Sequence, residues 1–242
     1  MVPPPLPRFA PTREDPSGAQ AAGLQVRSQG SFGGSADGAL RVTIPHAGRR
    51  DGRCTFTAMA VQVRPYRELQ PDEIGEWARL VRKAHPPGEV RLGSDLRWAD
   101  LDAETDDLIQ FREDDVLRAC AWVTRRTVTI SDQEMCVAGI RGVVTDPDYR
   151  RRGYGRAVMQ RAHELMRSFP DCELALLFSS VMAVPFYENL GWRIVRQSVT
   201  CEQPGGRIDY TEALPTAPVM AFALRQPADL PSGPVHVHGL PW

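Results

Sequence analysis

The segment Tyr149-Arg150-Arg151-Arg152-Gly153-Tyr154-Gly155 carries more information about the fold than any other part of the chain. It follows a β-branched run, Val143-Val144-Thr145, and precedes a stretch with helical spacing. Where a strand turns through glycines into a helix N-terminus, several backbone N–H groups point at one spot, and the helix dipole favours an anion there. The segment therefore predicts a phosphate-binding loop; the alternative is an exposed basic turn that binds nothing.

Two common phosphate motifs are excluded. A Walker A loop needs Lys and then Ser or Thr after its last glycine, where this chain has Arg156-Ala157. The dinucleotide-binding fingerprint needs a third glycine, which is missing. Further along the chain, Phe186-Tyr187-Glu188-Asn189-Leu190-Gly191-Trp192 predicts a short helix that stops at a glycine before a strand.

The remaining pattern predicts a mixed α/β sheet. A first strand is expected over 59–66, followed by a helix from Pro71 to Ala84 that begins with proline and two acids. Two clusters of turn-forming residues divide 106–145 into three extended runs, which predicts an antiparallel meander. The later predicted elements are a helix over 156–169, a strand over 174–178, a helix over 183–190 and strands over 192–199 and 219–224.

Residues 1–58 differ in composition from the rest of the chain. They are rich in Pro, Gly, Ser and Arg and show no sustained apolar period, so we expect a disordered extension. Met59 would be a natural start for the folded part, which raises the hypothesis that 1–58 come from an upstream start codon. The folded domain is expected to cover 59–242.

Bulk properties exclude several classes of protein. The 29 basic and 30 acidic residues give a net charge of −1, which argues against a nucleic-acid partner. No apolar run is long enough to cross a membrane, and the N-terminus lacks the features of a signal peptide, so a cytoplasmic location is expected. The five cysteines form no Cys-x-x-Cys pair, so neither a metal site nor a disulfide framework is expected.

The two motifs, in this order and with these elements between them, resemble the GNAT (Gcn5-related N-acetyltransferase) superfamily over roughly residues 60–225. The resemblance implies the GNAT fold, a mixed, mostly antiparallel sheet flanked by helices, and acetyl-CoA as co-substrate. Arg150, Gly153 and Gly155 match the superfamily's pyrophosphate loop, so residues 150–155 would hold the pyrophosphate. Residues 143–145 would pair with the pantetheine arm like an added strand.

The same resemblance implies two catalytic groups. The Val143 N–H would polarise the thioester carbonyl, and Tyr187 would donate its proton to the departing thiolate. The second role is plausible because ordinary phenol and thiol pKa values lie within about two units of each other. The alternative is that Tyr187 is a core tyrosine on an amphipathic helix.

Residues 125–129 and 136–145, with the closing Trp242, are similar to the aminoglycoside 2′-N-acetyltransferases. That similarity implies that the C-terminal carboxylate reaches the substrate amine, and it suggests substrate contacts at Asp95, Arg141, Ser180 and Trp242. Two positions depart from the subfamily pattern: the expected strand carboxylate is replaced by Arg141, and the acid two before the tryptophan is Leu240. Arg141 would either anchor an anionic group of the substrate or form a structural ion pair.

A cluster of charge adds to this interpretation. Residues 95–115 contain nine acids and two arginines, a local balance of −7, which would attract a cationic acceptor; the alternative is a solvated loop with acidic turns. We therefore predict an N-acetyltransferase that uses acetyl-CoA and a small-molecule amine, such as an aminoglycoside 2′-amine, in a ternary complex, with a homodimer as one candidate assembly. The alternatives are a protein or peptide N-acetyltransferase and a non-catalytic CoA-binding regulatory module.

Overall fold

The computed structural model describes residues 59–85, 96–102, 105–225 and 232–242 of the chain. The predicted disordered extension, residues 1–58, and the predicted substrate contact Asp95 lie outside the described residues. Within them, the strands are β1 (Met59–Pro65), β2 (Asp107–Glu113), β3 (Val116–Ile130), β4 (Gln133–Thr145), β5 (Cys172–Phe178), β6 (Arg193–Ile194), β7 (Val199–Gln203), β8 (Gly206–Asp209), β9 (Val219–Ala223) and β10 (Val235–Val237). The helices are α1 (Pro71–Ala84), α2 (Tyr154–Arg167), α3 (Val184–Glu188) and α4 (Tyr210–Ala213), and short 3₁₀ turns cover Tyr66–Glu68, Pro147–Tyr149 and Val181–Ala183.

All of these strands join one sheet around the long strand β3. β4 pairs with one edge of β3, and the other edge is shared by β2 and β10, all antiparallel. Among the strand pairings of the described residues, only β4 with β5 and β10 with β7 are parallel. The prediction of a mixed, mostly antiparallel sheet is therefore confirmed.

Two tight turns fold β2, β3 and β4 into the predicted meander. Asp114 and Asp115 join β2 to β3 with φ of 50° and 60°, and Ser131 and Asp132 join β3 to β4 with φ of 48° and 67°. Two successive residues with positive φ match the twist of adjacent antiparallel strands, and Asp tolerates this conformation better than most side chains. These turns set the register of the sheet's centre.

Helices cover both faces of the meander, because alternate residues of a strand point to opposite sides. α2 buries Val158 and Met159 in one core with Ile109 of β2. α1 buries Leu80 on the other face, where it packs with Trp122 of β3. Burying large apolar side chains contributes about 1.5–3 kcal/mol each, so these two layers supply much of the fold's stability.

A further core lies at the C-terminal side of the sheet. It contains Val137 of β4, Leu176 of β5, Val235 of β10 and the indole of Trp242. The Trp242 ring packs so closely on Gly139 that any side chain at position 139 would overlap it. The end of the chain is thus part of the core.

The parallel pair β4 and β5 separates partway along its length. Their pairing ends at Ile140 opposite Leu177, whereas β4 continues to Thr145. Beyond β5, the Ser179 N–H donates to Pro218 O at 3.0 Å, so the chain turns towards β9. This divergence leaves the end of β4 without a strand partner on that side among the described residues, and it opens a cleft.

The predicted strand over 192–199 is wrong in its extent. Pairing of β6 with β9 stops at Ile194 opposite Met220, and a new strand, β7, begins at Val199 and pairs with β8 and β10. Proline and glycines at 204–206 form the β7–β8 turn. The predicted helix over 183–190 is also shorter, since α3 ends at Glu188 and Gly191 takes a φ of 90°.

Candidate functional site

The divergence of β4 and β5 leads into a cleft of about 460 Å³. Its walls are the end of β4, the loop that leads into α2, the helix α3 and the C-terminal end of α1. The predicted site residues that line it are Val143, Val144, Thr145, Arg150, Arg151, Gly153, Tyr154, Gly155 and Tyr187. The structure therefore brings the two sequence motifs together around one cavity.

The N-terminus of α2 points at this cleft. Gly153 caps the helix with φ 85° and ψ −1°, a left-handed conformation that glycine adopts without strain, and no atom lies within 4 Å of the place where a side chain would sit. The first N–H groups of a helix have no partner within it, so those of Tyr154, Gly155 and Arg156 are available to a ligand. Together with the helix dipole they favour an anion.

The arginines of the loop have different positions. Arg150 and Arg151 are exposed and line the cleft, and Arg151 holds a positive φ of 63°. Arg152 instead lies over the Tyr149 ring, with its guanidinium 4.6 Å from the ring centroid, and is not part of the cleft wall. Two of the three predicted guanidinium groups can therefore reach an anion at the α2 N-terminus.

Tyr154 contributes its backbone to the site while its side chain anchors the loop. The ring is buried and stacks on Phe111 at a centroid distance of 4.2 Å, and its hydroxyl donates to Glu113 Oε1 at 2.6 Å. Burial, followed by the Glu113 carboxylate, raises the pKa of Tyr154 to about 12, so the phenol keeps its proton at neutral pH. The start of α2 is thereby fixed to the end of β2.

A salt-bridge network behind the loop was not predicted from the sequence. Lys83 of α1 lies 2.6 Å from Asp146 and 2.7 Å from Asp148, and Arg118 contacts Asp146 at 3.4 Å. Burial alone would raise the pKa of the Asp146 carboxyl, but Lys83, the Asp148 N–H and Arg118 hold it below its ordinary value. Asp146 therefore stays ionised and ties α1 and β3 to the entrance of the loop.

The end of β4 carries a bulge beside the cleft. Cys120 of β3 pairs with Val144 but Trp122 pairs with Arg141, so β4 has one extra residue, and Gly142 takes a φ of 57° there. Bulges re-aim backbone and side chains at functional sites. Here the bulge changes the direction of the β4 backbone at Val143, the residue predicted to polarise a carbonyl.

Tyr187 lies on α3 in the wall of the cleft. The residue is 8% exposed and packs edge-on against Phe186 and Trp192. Among the described residues no group accepts a hydrogen bond from its hydroxyl. Burial raises the pKa of Tyr187 well above that of a free phenol. The difference between this pKa and that of an ordinary thiol is therefore larger than the about two units between free groups. The hydroxyl is a permanent hydrogen-bond donor, which fits a role in protonating or solvating a leaving group.

The predicted substrate contacts do not gather in this cleft. Arg141 donates to Ala99 O at 2.6 Å and to Asp100 O at 3.0 Å, and its guanidinium lies 3.9 Å from Asp106. It thereby attaches the segment 96–102, which we call the strap, to β4 next to the bulge. This geometry corresponds to the structural alternative for Arg141 rather than to an anchor for a substrate anion.

Trp242 and Ser180 also lie outside the cleft wall. Trp242 is 4% exposed and packs edge-on against Phe178, so its ring serves the core. Ser180 precedes the 3₁₀ turn before α3, where its carbonyl accepts from the Ala183 N–H at 3.0 Å. The predicted contacts of Ser180 and of the Trp242 carboxylate with the substrate therefore stay predictions for a region beside the cleft wall.

The described members of the acidic group over 95–115 do not form one surface. Asp106 is buried and accepts from the Asp102 N–H at 2.7 Å, while Glu113 is bound to Tyr154 and Arg118. Among the described members of this group, Asp100 and Asp102 are exposed on the strap. Some of these carboxylates are therefore buried or paired inside the fold and others are exposed on the strap, which weakens the argument for a single cationic acceptor surface.

Five residues of the cleft wall were missed: Ala84, His85, Arg156, Ala183 and Phe186. Arg156 and Phe186 adjoin the two motifs, so their neighbourhood could have been inferred. Ala84 and His85 lie at the end of α1, and nothing in the sequence indicates that this helix reaches the loop. Ala84 packs with Trp122 and Val144, and Lys83 next to it bridges to Asp146 and Asp148, so the placement rests on contacts between residues far apart in the chain.

Comparisons with known proteins agree with this geometry. Residues 65–195, just over half of the chain, match the family model of the acetyltransferase (GNAT) domain. A stretch of 57 residues is 44% identical to the glucosamine 6-phosphate N-acetyltransferase of Trypanosoma brucei brucei, and it covers 24% of this chain and 38% of that protein. The match thus spans well under half the length of that relative.

Solved structures show a looser likeness. Escherichia coli ElaA is 17% identical with a TM-score of 0.48, covering 68% of this chain and 98% of its own. The GNAT family N-acetyltransferase YhbS from Escherichia coli in complex with CoA is 15% identical with a TM-score of 0.49, covering 76% and 94%. On the strength of the family match over 65–195, this chain belongs to the GNAT acetyltransferase family.

Proposed function

We propose that this chain is an acetyl-CoA-dependent N-acetyltransferase that acts on a small-molecule amine by direct attack in a ternary complex. The observation that carries the proposal is the cleft in which an unpaired strand edge, a helix N-terminus with two arginines and a buried tyrosine converge. Those are the groups needed to hold a diphosphate, an amide-containing arm and a thioester. Membership of the GNAT family supports the same reaction.

The cleft wall fits a coenzyme A thioester part by part. The N–H groups at the start of α2, with Arg150 and Arg151, would bind the pyrophosphate. The exposed edge of β4 at 143–145 would pair with the amides of the pantetheine arm, as an added strand does. A side chain at Gly155 would lie 3.0 Å from Thr145 Oγ1, so the loop and the strand approach closely only with glycine there.

When bound, acetyl-CoA supplies the activated acetyl group, and the protein supplies two polar groups near the reacting atoms. The Val143 N–H, at the bulge, would donate to the carbonyl oxygen as negative charge develops on it, the kind of contact that contributes about 2.7–4 kcal/mol to a transition state. The Tyr187 hydroxyl would donate to the departing sulfur. Both groups are held by secondary structure rather than by mobile loops.

A general base is not required for the reaction. An amine with a pKa near 8 needs only about 1.4 kcal/mol to lose its proton at pH 7, whereas holding donor and acceptor in line can contribute about 7–11 kcal/mol. The replacement of the subfamily's strand carboxylate by Arg141 therefore does not exclude catalysis. Positioning by the cleft and the strap outweighs the missing base.

We propose an amino sugar as the acceptor. The named relative acts on glucosamine 6-phosphate, and the resemblance over 125–145 suggests the 2′-amine of an aminoglycoside. Both acceptors present a primary amine on a sugar ring, and they differ in charge, since one carries a phosphate and the other several ammonium groups.

The test is an acetylation assay with the full chain, acetyl-CoA and a panel of amines: glucosamine 6-phosphate, kanamycin, gentamicin and a peptide with a free N-terminus. Thiol release and the mass of the product are followed together. We expect turnover with at least one amino sugar and none with the peptide. Turnover with the peptide alone would indicate a protein N-acetyltransferase, and tight coenzyme binding without thiol release for any amine would indicate a non-catalytic module.

A further inference from the structure

Two cysteines and an aspartate meet at the end of the sheet opposite the cleft. Cys136, near the start of β4, lies directly across from Cys172, the first residue of β5, and their Sγ atoms are 3.0 Å apart. The Asp171 carboxylate is 3.9 Å from the Cys172 Sγ. One ligand atom from each of the three residues lies within 4.8 Å of the other two. Thiolates and carboxylates are ligands that zinc prefers.

A bulge in β5 creates this arrangement. The register passes from Cys136 opposite Cys172 to Val137 opposite Leu174, so Glu173 is an extra residue. Leu174 lies in the core that contains Trp242, whereas Cys172 lies in the core under α2, although strand alternation would put both on one face. The bulge therefore turns Cys172 to the side of the sheet on which Cys136 lies.

The local charge suits a divalent cation. Two thiolates and one carboxylate carry three negative charges, and the guanidinium of Arg125, which lies 5.2 Å from the Phe169 ring and acts on both thiols, offsets one of them. Two positive charges would balance the rest. Cys136 is half-buried and Asp171 is exposed, so an ion can reach the site and keep one position open to water.

We propose that Cys136, Cys172 and Asp171 bind a thiophilic divalent cation of the Zn²⁺ type. The expectation of no metal site rested on the absence of a Cys-x-x-Cys pair, but parallel strands bring together ligands that are distant in the sequence. With Zn–S bonds of about 2.3 Å, a tetrahedral site needs sulfurs about 3.8 Å apart, so the two Sγ atoms, now 3.0 Å apart, would separate as the ion binds. The ion would cross-link β4 and β5.

A disulfide fits the same residues less well. The carboxylate has no role in a disulfide, whereas it completes a set of three metal ligands. A metal ion would displace the two thiol protons, and its affinity would therefore rise with pH.

Cobalt is the probe for the site, because Co²⁺ replaces Zn²⁺ and absorbs through thiolate-to-metal charge transfer. The full chain, reduced and free of metal, is titrated with Co²⁺ and then with Zn²⁺. We expect one Co²⁺ per chain, a charge-transfer band that Zn²⁺ removes, release of about two protons per ion and a higher Tm with Zn²⁺. The affinity should be greater at pH 8 than at pH 6.

Variants locate the ion. Cys136→Ser should abolish the band, and because Cys136 is half-buried this variant should remain folded, whereas Cys172→Ser removes a fully buried thiol. Asp171→Asn should keep a band but weaken binding by about tenfold or more. Cys54→Ser is the control and should bind as the wild type does.

Three results would overturn the proposal: no charge-transfer band in folded, reduced protein, an unchanged band in Cys136→Ser, or loss of the band in Cys54→Ser. The site lies seven residues before Val143 on β4, about 23 Å along the strand. Acetyl transfer should therefore proceed in the Cys136→Ser variant, which separates this test from that of the proposed function.

Discussion

Tyr187 is the residue whose chemistry depends most on its surroundings. Burial in the cleft wall keeps its phenol protonated, so its proposed contribution is a hydrogen bond to the departing sulfur rather than an easily lost proton. We expect Tyr187→Phe to lower kcat by about 10²–10⁴-fold, the range typical of a group that donates to the leaving atom in the transition state, with the acetyl-CoA Kd nearly unchanged. Steady-state kinetics and calorimetry on the same preparation measure the two quantities.

The control for this substitution is Tyr154→Phe. That change removes a buried hydroxyl bonded to Glu113, away from the reacting atoms. It should therefore lower Tm and leave kcat nearly unchanged. Unchanged turnover in Tyr187→Phe would remove the tyrosine from the mechanism.

His163 makes stability depend on pH. Its Nε2 accepts a hydrogen bond from the Trp192 indole at 2.9 Å, and its ring stacks on Phe222 at 4.2 Å. Burial, together with Arg167, lowers the pKa of His163 to about 4, against an ordinary value near 6.5. The unfolded chain therefore binds one more proton between these values, and stability falls as the pH drops through this window, by about 3 kcal/mol in total.

Urea unfolding at pH 7 and at pH 4.5 measures this dependence. His163→Gln keeps an acceptor for Trp192 but cannot be protonated, so we expect a shallower loss of stability over the same interval. An identical pH dependence in wild type and variant would show that other groups are responsible.

At the scale of elements, the loop before α2 offers an internal comparison among three adjacent arginines. Arg150 and Arg151 line the cleft, whereas Arg152 lies on Tyr149. We expect the double change Arg150→Ala and Arg151→Ala to weaken acetyl-CoA binding by about tenfold or more, because losing even one charge-assisted contact of about 1.5 kcal/mol costs about tenfold. Arg152→Ala should change the Kd by less than about twofold, since surface contacts of this kind contribute little.

Equal losses in the two variants would mean that the arginines act only through long-range attraction. Raising the salt concentration then distinguishes the two cases, because screening reduces long-range effects much more than it reduces direct contacts.

The strap, residues 96–102, is the element that Arg141 holds. Two hydrogen bonds from the Arg141 guanidinium to the carbonyls of Ala99 and Asp100 fix the strap beside the bulge, on the face of the sheet away from α2. If this face receives the acceptor amine, Arg141→Ala should raise the KM for the amine by about tenfold and leave the KM for acetyl-CoA within about twofold. Arg141→Lys should restore part of the effect, because one ammonium cannot make both contacts.

Initial rates with one substrate varied at a time give both constants. A rise confined to the acetyl-CoA KM would show that the strap helps to bind the coenzyme and not the amine.

At the scale of the whole molecule, the sequence predicted what is encoded locally. Period-two runs and turn residues gave the meander of β2 to β4, and the glycines at 153 and 155 gave the start of α2. The hairpin of β7 and β8 was not predicted. The predicted strand over 192–199 runs past Ile194, where the pairing of β6 with β9 ends. Short edge strands have little pattern of their own.

Features that depend on distant contacts could not be predicted. The packing of α1 on Trp122 and Val144 and the salt bridges from Lys83 to Asp146 and Asp148 hold the end of α1 at the cleft wall, and no periodic signal relates these residues. The packing of the Trp242 ring against Gly139 has no local signal in the sequence either. Similarly, Arg141 and the acids over 95–115 were charges whose partners became known only from the fold.

Within the described residues, no helix is long and apolar enough to span a membrane. The family match establishes the family, and the proposed roles of individual residues rest on the arrangement of the cleft. The central prediction from that arrangement is that the α2 N-terminus and the unpaired end of β4 bind acetyl-CoA.

Isothermal titration calorimetry, with acetyl-CoA added to the folded full chain, tests this prediction most directly. We expect one molecule bound per chain, with binding weakened about tenfold or more when Arg150 and Arg151 are both alanine and little changed when Arg152 alone is alanine. Circular dichroism of each sample confirms that it is folded. No heat of binding at any accessible concentration, or equal affinity in all three proteins, would contradict the account.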